Sequence, residues 1–268
     1  MPPAEGVDVI ALRDLAASLA VDAGNVAFAG RRAAAGDSDL GSATKSSLTD
    51  IVTEFDRAAE ATIVGRLRSE RPDDAIVGEE GTDQPGTSGC SWYIDPIDGT
   101  TNFVYDLPTW CCSVGVAQGD RMVAGAVFVP ALDELYVAAA GHGATLNGSP
   151  ITVSPITDLS TALLATGFSY RAEARREHAS MIARIIGDVR DIRRMGSAAI
   201  DLCFVAAGRL DIYLERGINS WDCAAGELIA REAGAITSDF AGGAARPAEM
   251  LAAAPGIHAA LIALLTAV

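Results

Sequence analysis

The stretch that decides the fold and the chemistry reads Trp92-Tyr93-Ile94-Asp95-Pro96-Ile97-Asp98-Gly99-Thr100-Thr101-Asn102-Phe103. An apolar, strand-like run leads directly into Asp95 and Asp98, where an unpaired buried charge would be costly. Gly99 allows the backbone to approach a ligand closely, and Thr100 can begin a helix whose free N–H groups hold an anion. Carboxylates beside an anion pocket require cations between them. The stretch therefore predicts a phosphate site that contains several metal ions.

Two further acidic segments lie at the ends of predicted elements. Glu79 and Glu80 follow the short apolar run 75–77, and Asp222 lies where a helix over 224–233 begins. Such element ends can project side chains into one cleft. Taken alone, the Glu79-Glu80 pair also suits a solvated turn, and Asp222 also suits a helix N-cap.

The composition narrows the class of protein. The 268 residues carry 35 Asp+Glu against 20 Lys+Arg, a formal charge of −15, and 50% are hydrophobic. This excludes intrinsic disorder and disfavours nucleic-acid binding. No apolar stretch is long enough to span a bilayer and the N-terminus lacks a signal-peptide pattern, so we expect a cytoplasmic protein without membrane contact.

Soft metal ligands are scarce. The five cysteines show no metal-binding spacing, which predicts buried, reduced thiols. The three histidines are scattered and form no zinc motif. His178 lies in a charged run that predicts a solvated helix. Any metal should therefore be a hard ion bound by oxygen.

The periodicity divides the chain into two approximate halves of one unit, 1–160 and 161–268. The first half predicts helices over about 8–32 and from about Phe55 to before Pro72, then mostly antiparallel strands with a hairpin turn at Asn147-Gly148. From about Leu163 strands and helices alternate, which indicates a layered α/β second half. We expect a cleft between the halves.

Four motifs together resemble the inositol monophosphatase family. They are Lys45 to Asp56, Gly78-Glu79-Glu80, Asp95 to Phe103, and Trp221-Asp222-Cys223-Ala224-Ala225-Gly226. The resemblance implies an α/β fold built as an α/β/α/β/α sandwich of the sugar phosphatase type, usually a homodimer. It implies a phosphomonoesterase that uses two to three Mg²⁺ ions, is sensitive to Li⁺, and acts on a small phosphate monoester, most simply inositol 1-phosphate.

The resemblance also implies roles for individual residues. Glu79, Asp95 and the Ile97 carbonyl would hold one Mg²⁺, Asp95, Asp98 and Asp222 a second, and Glu79 a weaker third. Thr100, oriented by Asp56, would help to deprotonate the attacking water, with Glu79 also in the catalytic set. The substrate would contact Asp98, Gly99, Thr100, Ala198, Glu215 and Asp222, while Lys45 would lie near the third metal or the phosphate.

Several alternatives stay open. By spacing alone, Thr53-x-x-Asp56 is also a helix capping box. Glu215 could pair with an ammonium group as well as with hydroxyls, which keeps histidinol phosphate among the candidate substrates, and Asn219 departs from the histidine of several animal members. Fructose 1,6-bisphosphate or a 3′-phosphoadenosine would need an additional cation, for which Arg171, Arg193 and Arg194 are candidates. A regulatory binding module that acts through protein or RNA contact is the non-enzymatic alternative.

Overall fold

The computed structural model describes residues 7–34, 43–44 and 51–267. Its helices are α1 (Val9–Ala33), α2 (Glu54–Glu70), α3 (Thr100–Val104), α4 (Ala172–Ile185), α5 (Ala198–Ala206), α6 (Ser220–Glu232) and α7 (Pro255–Thr266). The strands are β1 (Ala43–Thr44), β2 (Ile51–Val52), β3 (Ala75–Gly78), β4 (Asp83–Gln84), β5 (Cys90–Asp98), β6 (Cys111–Gln118), β7 (Arg121–Val129), β8 (Glu134–Ala139), β9 (Ala144–Leu146), β10 (Ser149–Ile151), β11 (Leu163–Thr166), β12 (Asp191–Arg193), β13 (Ile212–Arg216), β14 (Ile236–Ser238) and β15 (Glu249–Ala253).

An eight-stranded sheet dominates the first half, in the order β10-β9-β8-β7-β6-β5-β3-β4. Helices α1 and α2 cover one face, where apolar side chains from both helices and from alternate strand positions form a buried core around Trp92. The predicted hairpin is confirmed, because β9 and β10 pair through Asn147 and Gly148, which both have positive φ. Burial of this apolar face provides the main drive for this half to fold.

Strand β5 extends further than the sequence predicted. The expected strand ends at Ile94, whereas β5 continues to Asp98 with a shift in its register against β6 between Asp95 and Asp98. An irregularity of this kind bends a strand and changes where its side chains point. The acidic segment therefore continues β5 alongside β6 instead of forming a separate loop.

A five-stranded sheet forms the second half, in the order β12-β11-β13-β15-β14. Helices α5 and α6 lie between the two sheets in a shared core, and α4 and α7 pack on the outer face of the second sheet. The layers are thus helix, sheet, helix, sheet, helix, which confirms the predicted sandwich. Since α5 and α6 bury apolar side chains against both sheets, we propose that the chain folds as one unit.

Two expectations about individual side chains have different outcomes. The five cysteines are free and buried, as predicted. His178 contradicts the solvated-helix prediction, because its side chain is buried on the inner face of α4 at 3% exposure. The charged residues around it occupy the outer face, so the run is amphipathic. In the part of the chain that the structure describes, no helix has the length and apolar character needed to cross a membrane.

Candidate active site

A polar cavity of about 140 Å³ opens where the end of β5, the turn after β11 and the first turns of α5 and α6 meet. It brings together nearly all the described residues predicted for the site: Glu79, Asp95, Ile97, Asp98, Gly99, Thr100, Ala198, Glu215 and Asp222. Asp56 lies behind Thr100 and does not line the cavity. The predicted position Lys45 lies outside the described residues.

The Asp95–Thr100 segment holds its own conformation through local hydrogen bonds. The Ile97 amide donates to Asp95 Oδ1 at 3.1 Å, and the Thr100 hydroxyl donates to the Ile97 carbonyl at 3.1 Å. Gly99 has a φ of +96°, and a Cβ there would lie 3.0 Å from the Thr109 carbonyl oxygen. Glycine is therefore required both by the backbone conformation and by the close approach of a neighbouring chain segment.

The first turn of α5 fixes Asp98. Asp98 Oδ2 accepts one hydrogen bond from the Ser197 hydroxyl and one from the Ala199 amide, each 2.7 Å long. Ser197 is also the N-cap of this helix. One oxygen of the Asp98 carboxylate is thereby committed to the protein, and its orientation is set by a helix in the other half of the chain.

Asp222 lies at the third position of α6, and its Oδ2 accepts a hydrogen bond of 2.6 Å from the Asn219 amide. The alternative interpretation of Asp222 as a helix N-cap is wrong, because Asn219 occupies that position. A carboxylate in the first helical turn interacts favourably with the helix dipole. The Asp222 side chain thus both hydrogen-bonds to the N-cap residue of α6 and lines the cavity.

Asp56 makes a helix-capping contact and also lies against Thr100, so it has the contacts of both interpretations that the sequence left open. Its Oδ2 accepts from the Thr53 amide at 2.7 Å in a capping box of α2, which confirms the capping prediction. Its Oδ1 lies 3.4 Å from the Thr100 hydroxyl. Asp56 is fully buried, so the helix cap holds a carboxylate directly behind a hydroxyl that faces the cavity.

The turn that carries Glu79 depends on a residue that the sequence analysis missed. Glu60 is buried on α2 and accepts hydrogen bonds from the Glu80 amide at 2.8 Å and from the Thr82 hydroxyl at 2.6 Å. The signal that could have revealed it is its position on the apolar face of the predicted helix, where a charged residue needs a partner.

The acidic side chains of the cavity interact with one another. Burial raises the pKa of Asp95 well above its usual range, and the charges of Glu79, Asp98 and Asp222 raise it further. Burial likewise raises the pKa of Asp98 to about 6. Burial, then the charge of Asp98, raises the pKa of Asp222. Carboxylates in this situation gain stability from a nearby cation.

These oxygen donors fit a hard divalent ion. Buried carboxylates and a backbone carbonyl are the ligands that Mg²⁺ accepts, and neither His nor Cys lines the cavity among the described residues. Within the same ranges, no group of three or more His, Cys, Asp or Glu side chains stands in an arrangement that could already hold a metal ion. The donor chemistry thus fits Mg²⁺, while the side chains do not by themselves form a closed ligand set.

The opposite wall of the cavity comes from the second half of the chain. The Tyr213 hydroxyl donates to Glu215 Oε2 at 2.9 Å, and burial raises the pKa of Glu215 to about 7. Arg194 also lines this wall, whereas Arg171 and Arg193 do not line the cavity. Arg193 pairs with Asp191 instead.

Asp201 is a second residue that the sequence analysis missed. It lines the cavity at 1% exposure, and among the residues that the structure describes its Oδ1 has no hydrogen-bond partner. Burial raises its pKa well above the usual range, and the charge of Glu215 adds to this. Its signal in the sequence is plain, because it is the one charged residue in the otherwise apolar helix α5.

Comparison with known proteins gives a consistent result. A model of the inositol monophosphatase family matches residues 10–267. Inositol-1-monophosphatase SuhB of Mycobacterium tuberculosis is 46% identical over 273 residues, covering 95% of this chain and 93% of that protein. The solved structure of the extragenic suppressor protein suhB from Bartonella henselae has a TM-score of 0.89 at 32% identity, covering 96% of this chain and 98% of the other. Nus factor SuhB of Escherichia coli is 42% identical over 207 residues, covering 76% of this chain and 78% of that protein.

Proposed function

The chain belongs to the inositol monophosphatase family, and this membership supports phosphatase activity. From this premise we propose that the protein hydrolyses inositol 1-phosphate to inositol and phosphate with Mg²⁺. The observation that carries the proposal is the convergence of Glu79, Asp95, Asp98 and Asp222 on one small cavity. Their mutual repulsion makes the cavity a poor site for a phosphate ester unless cations share it.

The ligand assignment follows the donor atoms. Glu79, Asp95 and the Ile97 carbonyl would hold one Mg²⁺, and Asp95, Asp98 and Asp222 would hold another. A third, weaker ion would lie near Glu79. When bound, Mg²⁺ supplies positive charge that offsets the charges of the phosphoryl group and of the carboxylates.

Thr100 is positioned to handle the proton of the attacking water. Its own proton lies between the Ile97 carbonyl and Asp56 Oδ1, so its lone pairs are left to accept a hydrogen bond from a water in the cavity. Asp56 is held by Thr53 and can receive the Thr100 proton as Thr100 takes one from the water. Backbone N–H groups of Gly99, Thr100 and Ala198 are the proposed donors to the phosphate.

The wall formed by the second half would bind the alcohol part of the substrate. Glu215 can accept hydrogen bonds from hydroxyl groups and Arg194 can donate them. Among the described residues, Arg194 is the sole Lys or Arg that lines the cavity. This supports a substrate with one phosphate over fructose 1,6-bisphosphate or a 3′-phosphoadenosine bisphosphate.

A phosphate-release assay tests the proposal. Inositol 1-phosphate, histidinol phosphate, fructose 1,6-bisphosphate and 3′-phosphoadenosine 5′-phosphate are compared with Mg²⁺, with a chelator in place of Mg²⁺, and with Mg²⁺ plus Li⁺. We expect the highest kcat/KM for inositol 1-phosphate, no release with the chelator, and inhibition by Li⁺. Release that is unaffected by the chelator would contradict the metal requirement, and a preference for another ester would contradict the substrate assignment.

A regulatory role is a second candidate, since several relatives are named Nus factors. A net charge of −15 disfavours direct binding to RNA, so this role would act through protein contact. The Asp98→Asn variant separates the two functions. A regulatory function that survives in cells when phosphate release is lost would support this second role.

A further inference from the structure

The buried histidine of α4 is hydrogen-bonded to one of the two strands that end at the alcohol side of the cavity and is linked through that strand to the other. His178 Nε2 lies 2.7 Å from Thr166 Oγ1, and Thr166 is the last residue of β11. Thr166 Oγ1 in turn lies 2.8 Å from the carbonyl oxygen of Leu214 on β13. His178 and Thr166 are both almost completely buried, at 3% and 1% exposure.

The direction of these hydrogen bonds can be assigned from the proton count. Thr166 has one hydroxyl proton, and it donates that proton to the Leu214 carbonyl, which can only accept. Thr166 therefore accepts from His178, so the imidazole carries its proton on Nε2. Burial lowers the pKa of His178 to about 4, which keeps the ring neutral near pH 7. His178, Thr166 and Leu214 thus form a directed chain of two hydrogen bonds.

The chain of hydrogen bonds ends next to the residues that line the cavity. Gly167 and Phe168 follow Thr166, and Glu215 follows Leu214. A Cβ on Gly167 would overlap the Glu215 carboxylate, so the backbone of the turn lies directly against that side chain. The position of the turn consequently sets the space next to Glu215.

His178 also holds the turn beyond the end of the sheet. The ladder between β11 and β13 stops at the pair Thr166–Leu214, so it does not extend to Phe168. The Phe168 ring packs edge-on against the imidazole, with ring centroids 5.3 Å apart and an angle of 83° between the planes. His178 is therefore bonded to the residue before Gly167 and packed against the residue after it.

We propose that His178 is a positioning residue for substrate recognition, which fixes the Gly167–Phe168 turn against Glu215 and so sets the affinity for the hydroxyl-bearing part of the phosphate ester. This inference rests on the proposed function, because it takes the cavity to be a phosphatase site. His178 does not line the cavity itself and acts through the turn.

The test separates affinity from turnover in the full-length Mg²⁺-loaded enzyme. We expect His178→Leu to raise KM for inositol 1-phosphate about three- to tenfold, the usual effect of losing one buried hydrogen bond, with kcat within about twofold. The inhibition constant of inorganic phosphate, which contacts only the phosphate subsite, should stay unchanged. His178→Gln keeps an N–H donor near the position of Nε2 and should restore most of the affinity.

His258 provides a matched control. Its Nε2 lies 2.8 Å from Ser238 Oγ, which is the same kind of contact between a helix and a strand, but neither residue lines the cavity. His258→Leu should leave KM unchanged. Equal increases of KM in both Leu variants, or a loss of kcat without a change in KM, would overturn the proposal.

Three further outcomes are informative. If His178→Leu does not fold, Phe168→Leu weakens the same contact from the turn, and an unchanged KM in that variant would overturn the inference. If the wild-type enzyme hydrolyses inositol 1-phosphate and His178→Leu keeps its KM, only this inference fails. If the wild-type enzyme releases no phosphate and binds none, the proposed function itself fails.

Discussion

The two walls of the cavity are built in different ways. We call the side formed by Glu79, Asp95, Asp98 and Asp222 the acidic wall, and the side formed by Gly167, Phe168, Arg194, Asp201 and Glu215 the alcohol wall. On the acidic wall, three carboxylates accept hydrogen bonds from backbone amides within or next to strand and helix ends. On the alcohol wall, Glu215 accepts from a tyrosine hydroxyl, and Asp201 Oδ1 has no hydrogen-bond partner within the described part of the chain.

We propose that this difference assigns catalysis to the acidic wall and substrate specificity to the alcohol wall. Backbone amides at helix and strand ends stay in place as long as the fold does, so the acidic wall is determined by the architecture. The alcohol wall depends on side-chain contacts and on one turn, which can change without disturbing the sandwich. Substitutions in the acidic wall should therefore reduce kcat, and substitutions in the alcohol wall should change KM.

The largest effect is expected for Asp98→Asn. The amide oxygen can still accept from Ser197 and Ala199, so the fold is retained while one negative charge is lost. Loss of a metal-binding carboxylate should lower kcat by on the order of 10³-fold or more, because charge stabilisation by metal ions contributes several kcal/mol. Steady-state phosphate release, with circular dichroism to verify folding, measures this.

Asp8→Asn is the control for Asp98→Asn. Asp8 caps α1 through hydrogen bonds to the Ile10 and Ala11 amides and lies outside the cavity. It should change thermal stability slightly and leave kcat unchanged. Full activity in Asp98→Asn would remove Asp98 from the proposed metal site.

A smaller loss is expected for Thr100→Val, which keeps the shape of the side chain and removes the hydroxyl. General base catalysis contributes roughly 10²- to 10⁴-fold, so kcat should fall by about 10²-fold with little change in KM. Thr101→Val, an exposed neighbour that does not line the cavity, is the comparison. Equal kcat values for the two variants would argue against Thr100 as the residue that handles the proton.

The acidic wall was predictable from the sequence, and much of the alcohol wall was not. Asp95 and Asp98 lie three residues apart in one short motif, and the family resemblance of the Trp221–Gly226 motif added Asp222 to them. On the alcohol wall, the resemblance supplied Glu215 but not Asp201, which reaches the cavity because α5 packs beside β13, a contact that no local pattern encodes. The burial of His178 depends on which face of α4 meets the second sheet, and the charged residues around it hid that face.

A moderate effect on affinity is expected for Gly167→Ala. The new methyl group would overlap the Glu215 carboxylate and force the turn or that side chain to move. We expect KM for inositol 1-phosphate to rise about tenfold, comparable to losing one or two hydrogen bonds, with kcat changed by less than about threefold. Gly65→Ala is the control, since a methyl group at that helical position meets no neighbouring atom. A fall in kcat with unchanged KM would contradict the proposal that the alcohol wall controls affinity and the acidic wall controls turnover.

The smallest effect concerns the pH dependence of stability on the alcohol side. Burial, followed by the charge of Arg216, lowers the pKa of His178 from 6.5 to about 4 in the folded state. Because the unfolded chain takes up the proton first, the contribution of His178 to stability is complete above about pH 6.5. It decreases as the pH falls toward 4, where the loss levels off.

Between pH 7 and pH 5 the protonation of His178 in the unfolded chain should lower the free energy of unfolding of the wild-type protein by about 1 to 2 kcal/mol. Urea denaturation of the wild type and of His178→Gln at both pH values measures it. The difference between the two proteins should shrink at pH 5, since glutamine does not titrate, and a constant difference would show that His178 is charged or exposed in the folded enzyme.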